Sequence, residues 1–120
     1  MKYRDVVRLS EFDRDLKKLK KRYRTIEEDL DIFINTAIEL HDAENDMGIV
    51  RISGLGIENP PVYKGRKFAC KSLKGKGSRT GIRVIFAYFA AEERIELVEI
   101  YIKSDQANHD EQRILEYYGG

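Results

Sequence analysis

The residues of this chain best suited to chemistry lie in a basic, glycine-rich stretch between residues 71 and 83. Residues 60–90 hold eight Lys or Arg side chains and no Asp or Glu, although the whole chain has 22 basic and 21 acidic side chains. Clustered cations attract phosphates, and glycines let the backbone turn tightly or approach a ligand closely. The stretch is not a Walker P-loop, because no Gly-Lys-Ser/Thr opens a helix there. The eight cations are Lys64, Arg66, Lys67, Lys71, Lys74, Lys76, Arg79 and Arg83.

This acid-free block also admits a structural interpretation, a solvated hairpin whose charges keep a sheet edge from aggregating. We favour phosphate binding, because ordinary protein surfaces mix both signs of charge and this block does not. A second basic run, residues 17–24, is flanked by acidic residues and indicates a solvated helix face.

The other reactive side chains give weaker indications. His109 follows the last predicted strand, between Asn108 and Asp110, whereas His41 sits at a predicted helix end. Two distant histidines with scattered carboxylates predict no metal site, and we expect no cofactor. The single cysteine, Cys70, excludes an internal disulfide and is predicted to be a small buried strand residue.

Hydrophobic periodicity predicts the element order β-α-α, long loop, β-β-β, short α. Ser10 is predicted to cap the first helix, and Thr25 with Glu28 has the spacing of a capping box for the second. The predicted segments are strands over 3–9, 67–73, 82–89 and 95–103, helices from residues 10 and 25, a loop over 41–61 that can hold a short strand near 49–52, and a helix over 110–118.

This order predicts an α+β fold, an antiparallel sheet covered on one face by an α-helical hairpin. The opposite face is expected to stay open, and strand parity places Arg83, Tyr101 and Lys103 on it. Val98 is assigned to the same face as Ile100. The predicted core contains Leu16, Leu19, Leu30, Phe33, Ile34, Val84 and Phe86.

Length and composition limit the protein class. The 120 residues predict one domain, 1–120, and a content of 42% hydrophobic and 36% charged residues is typical of soluble globular proteins. No apolar run reaches the roughly 20 residues that span a bilayer, and no signal peptide is evident. We therefore expect a cytoplasmic protein without a membrane partner.

The stretch Gly75-Lys76-Gly77-Ser78-Arg79-Thr80-Gly81-Ile82-Arg83-Val84-Ile85-Phe86 and the strand end Ile100-Tyr101-Ile102-Lys103 resemble the RelE/ParE toxin superfamily. Their order is most similar to HigB-type toxins, in which a glycine-lysine-glycine turn, a glycine-x-arginine-valine-isoleucine strand and a tyrosine-x-lysine strand recur. The topological resemblance covers nearly the whole chain, and its specific part covers residues 66–103.

The resemblance implies a microbial type II toxin–antitoxin pair, with an antitoxin protein as the partner in a hetero-oligomer. Many family members cleave messenger RNA on the ribosome without a metal, through attack of a 2′-hydroxyl on the adjacent phosphorus. By this resemblance Arg83 is the catalytic arginine, and Lys103 and His109 are further catalytic candidates. The implied RNA-binding residues are Lys71, Lys74, Lys76 and Arg79.

Two alternatives remain open at the level of sequence. A diverged, non-catalytic protein with the same fold could use the basic face to bind a protein or nucleic acid. A ParE-like member would inhibit DNA gyrase instead of cutting RNA.

Overall fold

Five strands form one mixed sheet in the computed structural model, which describes residues 1–120. The strands are β1 (Asp5–Arg8), β2 (Ile49–Arg51), β3 (Val62–Gly65), β4 (Ile82–Phe89) and β5 (Arg94–Ile102). Their spatial order is β1-β5-β4-β3-β2. Strands β2 to β5 form an antiparallel meander, and β1 lies parallel to β5 at the far edge.

Three helices accompany the sheet: α1 (Ser10–Lys20), α2 (Ile26–Phe33) and α3 (Glu111–Tyr118). A π-helical turn, Ile34–Ile38, continues α2. The predicted cap at Ser10 is wrong, because Leu9 occupies the N-cap position and its carbonyl accepts the Asp13 N–H at 3.1 Å. Thr25 does precede α2, but its hydroxyl donates to Asp29 Oδ2 at 2.6 Å, so the predicted capping box does not form.

The fold class predicted from the sequence is confirmed, since α1 and α2 pack as a hairpin on one face of the sheet. A cluster of 19 buried residues joins these helices to the inward side chains of β4 and β5. All seven residues of the predicted core belong to this cluster. The apolar stripes of both helices are therefore buried against the sheet, which is the main favourable contribution to folding.

A β-bulge in β5 corrects the predicted parity of that strand. Ile85 pairs with Glu99, but the next residue of β4, Phe86, pairs with Leu97, so Val98 is the extra residue. Beyond the bulge, Ile100 and Ile102 face the helices together with Leu97 and Ile95. Val98 lies on the opposite face, and its prediction beside Ile100 is wrong, because a bulge shifts the alternation by one residue.

The face predicted to be open is half covered. α3 packs there, and its Ile114 joins a second cluster of six buried residues that includes Val62, Ile85 and Val98. Asp110 caps α3 by accepting the Arg113 N–H at 3.1 Å. The rest of this face, around Arg83 and Tyr101, opens into a cavity.

The predicted strand over residues 67–73 is wrong. Val62–Gly65 takes its place in the sheet, and residues 66–81 form a series of turns closed by an isolated bridge between Phe68 and Arg79. Cys70 is buried as predicted, and Phe68 is buried with it, but both pack under α2 and lie outside the five strands. Gly65 allows β3 to pack closely against α2, because a side-chain carbon at this position would collide with the Phe33 ring.

No helix of the structure is both long enough and apolar enough to cross a membrane.

Candidate functional site

The register of the sheet collects cations on the face opposite the helical hairpin. Lys64 lies between Val50 of β2 and Ile85 of β4. Arg83 lies opposite Tyr101 of β5. Because side chains alternate along a strand, Gly65 faces α2 while Lys64 and Arg66 project to the other side.

A cavity of about 330 Å³ opens at this point of the sheet. Its wall combines apolar side chains from β2 and the loop before α3 with cations from three strands and their ends. Glu111 is the one acidic residue in the wall. The lining residues are Val50, Arg51, Ile52, Ser53, Lys64, Arg66, Arg83, Tyr101, Lys103, Ala107, His109 and Glu111.

The structure brings together the three predicted catalytic candidates, Arg83, Lys103 and His109, in this one cavity. Arg83 is half-buried, and its Nη1 donates to the Arg66 carbonyl at 3.1 Å, which holds the guanidinium across the end of β3. Lys103 follows the last residue of β5, and its N–H donates to the Gly81 carbonyl at 2.8 Å. These backbone contacts fix where both cations leave the sheet.

His109 enters the cavity from the loop between β5 and α3. Its side chain is 10% exposed, and neither ring nitrogen hydrogen-bonds to another residue of the chain. The nearest carboxylate oxygen, Glu111 Oε2, is 3.9 Å from Nε2, too far for a hydrogen bond. Both nitrogens are buried, and buried polar groups are nearly always paired, so the unpaired imidazole marks His109 as a candidate functional residue.

Lys64 connects the sheet to the loop of His109. Its Nζ donates to Asn108 Oδ1 at 2.7 Å, and the same oxygen accepts the His109 N–H at 3.0 Å. Burial lowers the pKa of Lys64, and the charges of Arg83 and Arg66 lower it further. An ammonium with a lowered pKa is a better proton donor than an ordinary lysine.

The pKa of His109 is lowered by burial first and by the Lys64 charge second, while Glu111 and Asp110 partly oppose the shift. Its imidazole is therefore neutral at neutral pH and can accept a proton. The pKa of Tyr101 is raised, mainly by burial, so its hydroxyl stays protonated and can donate a hydrogen bond.

Lys64 and Arg66 belong to the acid-free block but were not among the predicted site residues. The loss of the predicted strand over 67–73 in favour of Val62–Gly65 is the reason. One indication was available: the alternation of Lys64, Gly65 and Arg66 after Val62 is what a strand with one polar face shows. Arg51 of β2 was missed as well.

The four predicted RNA-binding residues do not share one location. Arg79 lines a second, larger groove of about 730 Å³ with Arg66, Lys67 and Arg83. This groove adjoins the cavity, because Arg66 and Arg83 line both. Lys71 instead bonds to Glu28 of α2 at 3.0 Å. The other two predicted residues, Lys74 and Lys76, are exposed in the turns and line neither opening.

As a chemical environment, the cavity presents five cations, a neutral imidazole and a phenol. Such a set binds a group that carries more than one negative charge and stabilises additional charge that develops on it. The chain assembles no group of three or more His, Cys, Asp or Glu side chains that could hold a metal ion.

Comparisons with known proteins give one structural similarity. No protein-family model matches the sequence, and no curated protein matches it. Among solved structures, the fold is similar to a chain of the archaeal RelE-RelB complex from Pyrococcus horikoshii OT3, with a TM-score of 0.49 over 86% of this chain and 97% of that chain and 18% sequence identity.

Proposed function

We propose that the protein is the toxin of a type II toxin–antitoxin system of the RelE/ParE superfamily, with HigB-type toxins as its nearest branch, and that it cleaves messenger RNA on the ribosome. One observation supports this proposal most directly. Lys64, Arg66, Arg83 and Lys103 converge on a cavity that also contains the unpaired imidazole of His109. Convergent cations suit a phosphodiester, and the imidazole supplies a proton acceptor beside it.

The proposed reaction is an internal phosphoryl transfer. The 2′-hydroxyl of one nucleotide attacks the adjacent phosphorus, the bond from phosphorus to the 5′-oxygen breaks, and the products are a 2′,3′-cyclic phosphate and a 5′-hydroxyl. Negative charge accumulates on the phosphoryl oxygens in the transition state. Arg83 stabilises this charge, because its guanidinium is held in place by the Arg66 carbonyl before the substrate arrives. Lys103 adds a second cation on the same side.

Two proton transfers accompany the reaction. His109 accepts the proton of the 2′-hydroxyl, since the lowered pKa of its imidazole leaves it neutral. Lys64 donates a proton to the leaving 5′-oxygen, since its lowered pKa makes the ammonium a stronger acid. Groups whose environments give them different protonation states at one pH divide the two roles naturally.

An antitoxin is the proposed partner, and its expected binding surface is the basic face around Arg83. An acidic or amphipathic segment would neutralise cations that the chain itself leaves unpaired. Co-expression with the product of the adjacent gene, followed by affinity purification, tests this. Recovery of the protein without a partner would count against the toxin–antitoxin pairing.

Cleavage itself is tested with purified protein, a defined messenger RNA and translating ribosomes. We expect cuts in the ribosome-bound message with 2′,3′-cyclic phosphate and 5′-hydroxyl ends. A parallel reaction with supercoiled DNA and gyrase separates this activity from ParE-like inhibition. A folded protein that neither cuts RNA nor arrests growth would contradict the proposal and favour a non-catalytic binding protein.

A further inference from the structure

Glu99 is a buried carboxylate that the proposed reaction does not use directly. It is 2% exposed and does not line the cavity. Alternation along β5 places it on the same face as Tyr101, in the row of the sheet that continues from Lys64 through Ile85. A buried acid is uncommon unless it is paired, so its contacts show what it does.

Both oxygens of Glu99 hold the loop that carries His109. Oε1 accepts the backbone N–H of Asp110 at 2.8 Å, and Oε2 accepts the Gln106 side-chain amide at 2.8 Å. Gln106 Nε2 also donates to the Asn108 carbonyl at 2.7 Å. The loop is thus attached to β5 on both sides of His109, at residues 106–108 and at residue 110.

The attachment needs a side chain whose two oxygens both accept hydrogen bonds, as those of a carboxylate do. The same oxygens face donors on both sides, so an amide in place of the carboxylate would turn an N–H₂ group toward one of them. Burial raises the pKa of Glu99, while the two hydrogen bonds and the Arg113 charge oppose that shift.

We propose that Glu99 is a positioning residue, whose carboxylate fixes the loop of residues 106–110 so that His109 and Asn108 stay beside Lys64 in the cavity. This inference rests on the proposed function. It adds that a buried carboxylate of the sheet, close to the cations of the cavity, sets the position of the catalytic groups. A misplacement of about 1 Å in a reacting group can lower a rate by about 100-fold.

The test compares Glu99→Gln with Glu96→Gln. Glu96 is a matched control, because it is a carboxylate of the same strand that also bonds to a helix-α3 residue, Tyr118 Oη at 2.8 Å, but lies away from the cavity. We expect Glu99→Gln to lower kcat for messenger RNA cleavage by about tenfold or more, with little change in KM. The imidazole NMR signals of His109 should shift in this variant and remain as in wild type in Glu96→Gln.

A second variant, Gln106→Ala, removes one of the two attachments, and it should lower kcat by less because Glu99 keeps its hydrogen bond from the Asp110 N–H. Wild-type kcat and unmoved His109 signals in folded Glu99→Gln would overturn the inference, as would an equal loss of kcat in Glu96→Gln. If Glu99→Gln does not fold, an unchanged kcat and unmoved His109 signals in Gln106→Ala would overturn it. A wild-type protein without cleavage would overturn the proposed function and this inference with it, whereas the other outcomes address the inference alone.

Discussion

The two faces of the sheet are built from alternate residues of the same strands and have opposite properties. Toward α1 and α2, β4 presents Val84 and Phe86, which are fully buried in the cluster of 19 residues. Toward the cavity, the neighbouring residue Arg83 remains half-buried beside other cations. Apolar burial stabilises the first face, whereas like charges on the second repel one another and destabilise the folded chain. The helix-covered face thus contributes most of the apolar burial, whereas the cavity face, only half covered by α3, carries the proposed function.

The largest expected effect in this comparison is on stability. Phe86→Ala should lower the free energy of unfolding by about 3–5 kcal/mol, because it leaves a cavity in the main cluster and removes the stacking of the ring on Tyr63. Urea denaturation followed by circular dichroism measures this change. Arg83→Ala is the control three residues earlier on the opposite face and should stay within about 1 kcal/mol of wild type. A loss at Arg83 as large as at Phe86 would contradict the division between the faces.

The second effect is on activity. Arg83→Ala should reduce messenger RNA cleavage by about 10²–10³-fold while the protein stays folded, because a fixed donor to the developing charge is removed. Arg4→Ala provides the matched control, since Arg4 lies at the opposite edge of the sheet and pairs with Glu93 at 3.6 Å. Cleavage rates on ribosomes and melting temperatures measured together separate catalysis from folding. Undiminished cleavage by Arg83→Ala would remove the central residue of the mechanism.

The helix-covered face could be predicted from the sequence almost completely. Helical spacing in α1 and α2 and alternation in β4 depend on neighbouring residues, so they are visible as local patterns. The bulge at Val98 could not be predicted in this way, since one extra residue changes the facing of every later side chain without changing composition. β3 was hidden because its apolar content is low and two of its four residues are Lys64 and Gly65.

The cavity was predictable only in part. The acid-free block and the strand parity brought Arg83 and Lys103 into one hypothesis, and the structure lines one cavity with both. The two buried carboxylates, Asp29 and Glu99, were not distinguishable from surface acids, because their burial depends on contacts with residues far away in the chain. Asp29 holds residue 71 through its backbone N–H at 3.1 Å, as Glu99 holds the loop of His109.

The third prediction concerns the pH dependence of both the free energy of unfolding and the cleavage rate. The folded state lowers the pKa of His109 below its unperturbed value near 6.5, so it favours the neutral ring. As pH falls below about 6.5, the unfolded chain binds a proton first, and the free energy of unfolding decreases until pH passes the folded pKa. Lys64, Glu111 and Asp110 are the charged groups that face this ring.

Cleavage should follow the same titration, with an acid limb in kcat/KM, which reports the free protein, whose midpoint lies below about 6.5. His109→Gln should lack this limb and should also lose the corresponding pH dependence of unfolding. Single-turnover rates and urea midpoints measured over the acid range give both quantities. An acid limb that survives in His109→Gln would assign the proton acceptor to another group.

The smallest expected effect distinguishes the cations outside the cavity. Arg79 lines the groove beside the cavity and has no carboxylate partner, whereas Lys71 bonds to Glu28 at 3.0 Å. Arg79→Ala should weaken RNA binding a few-fold and reduce the slope of log affinity against log salt by about 0.7, the value for one lost contact with a single strand. Lys71→Ala should change this slope less, because its charge is already partly neutralised. Titrations of a fluorescent RNA at several salt concentrations measure both slopes. A larger change for Lys71 than for Arg79 would show that the groove is not the path of the RNA.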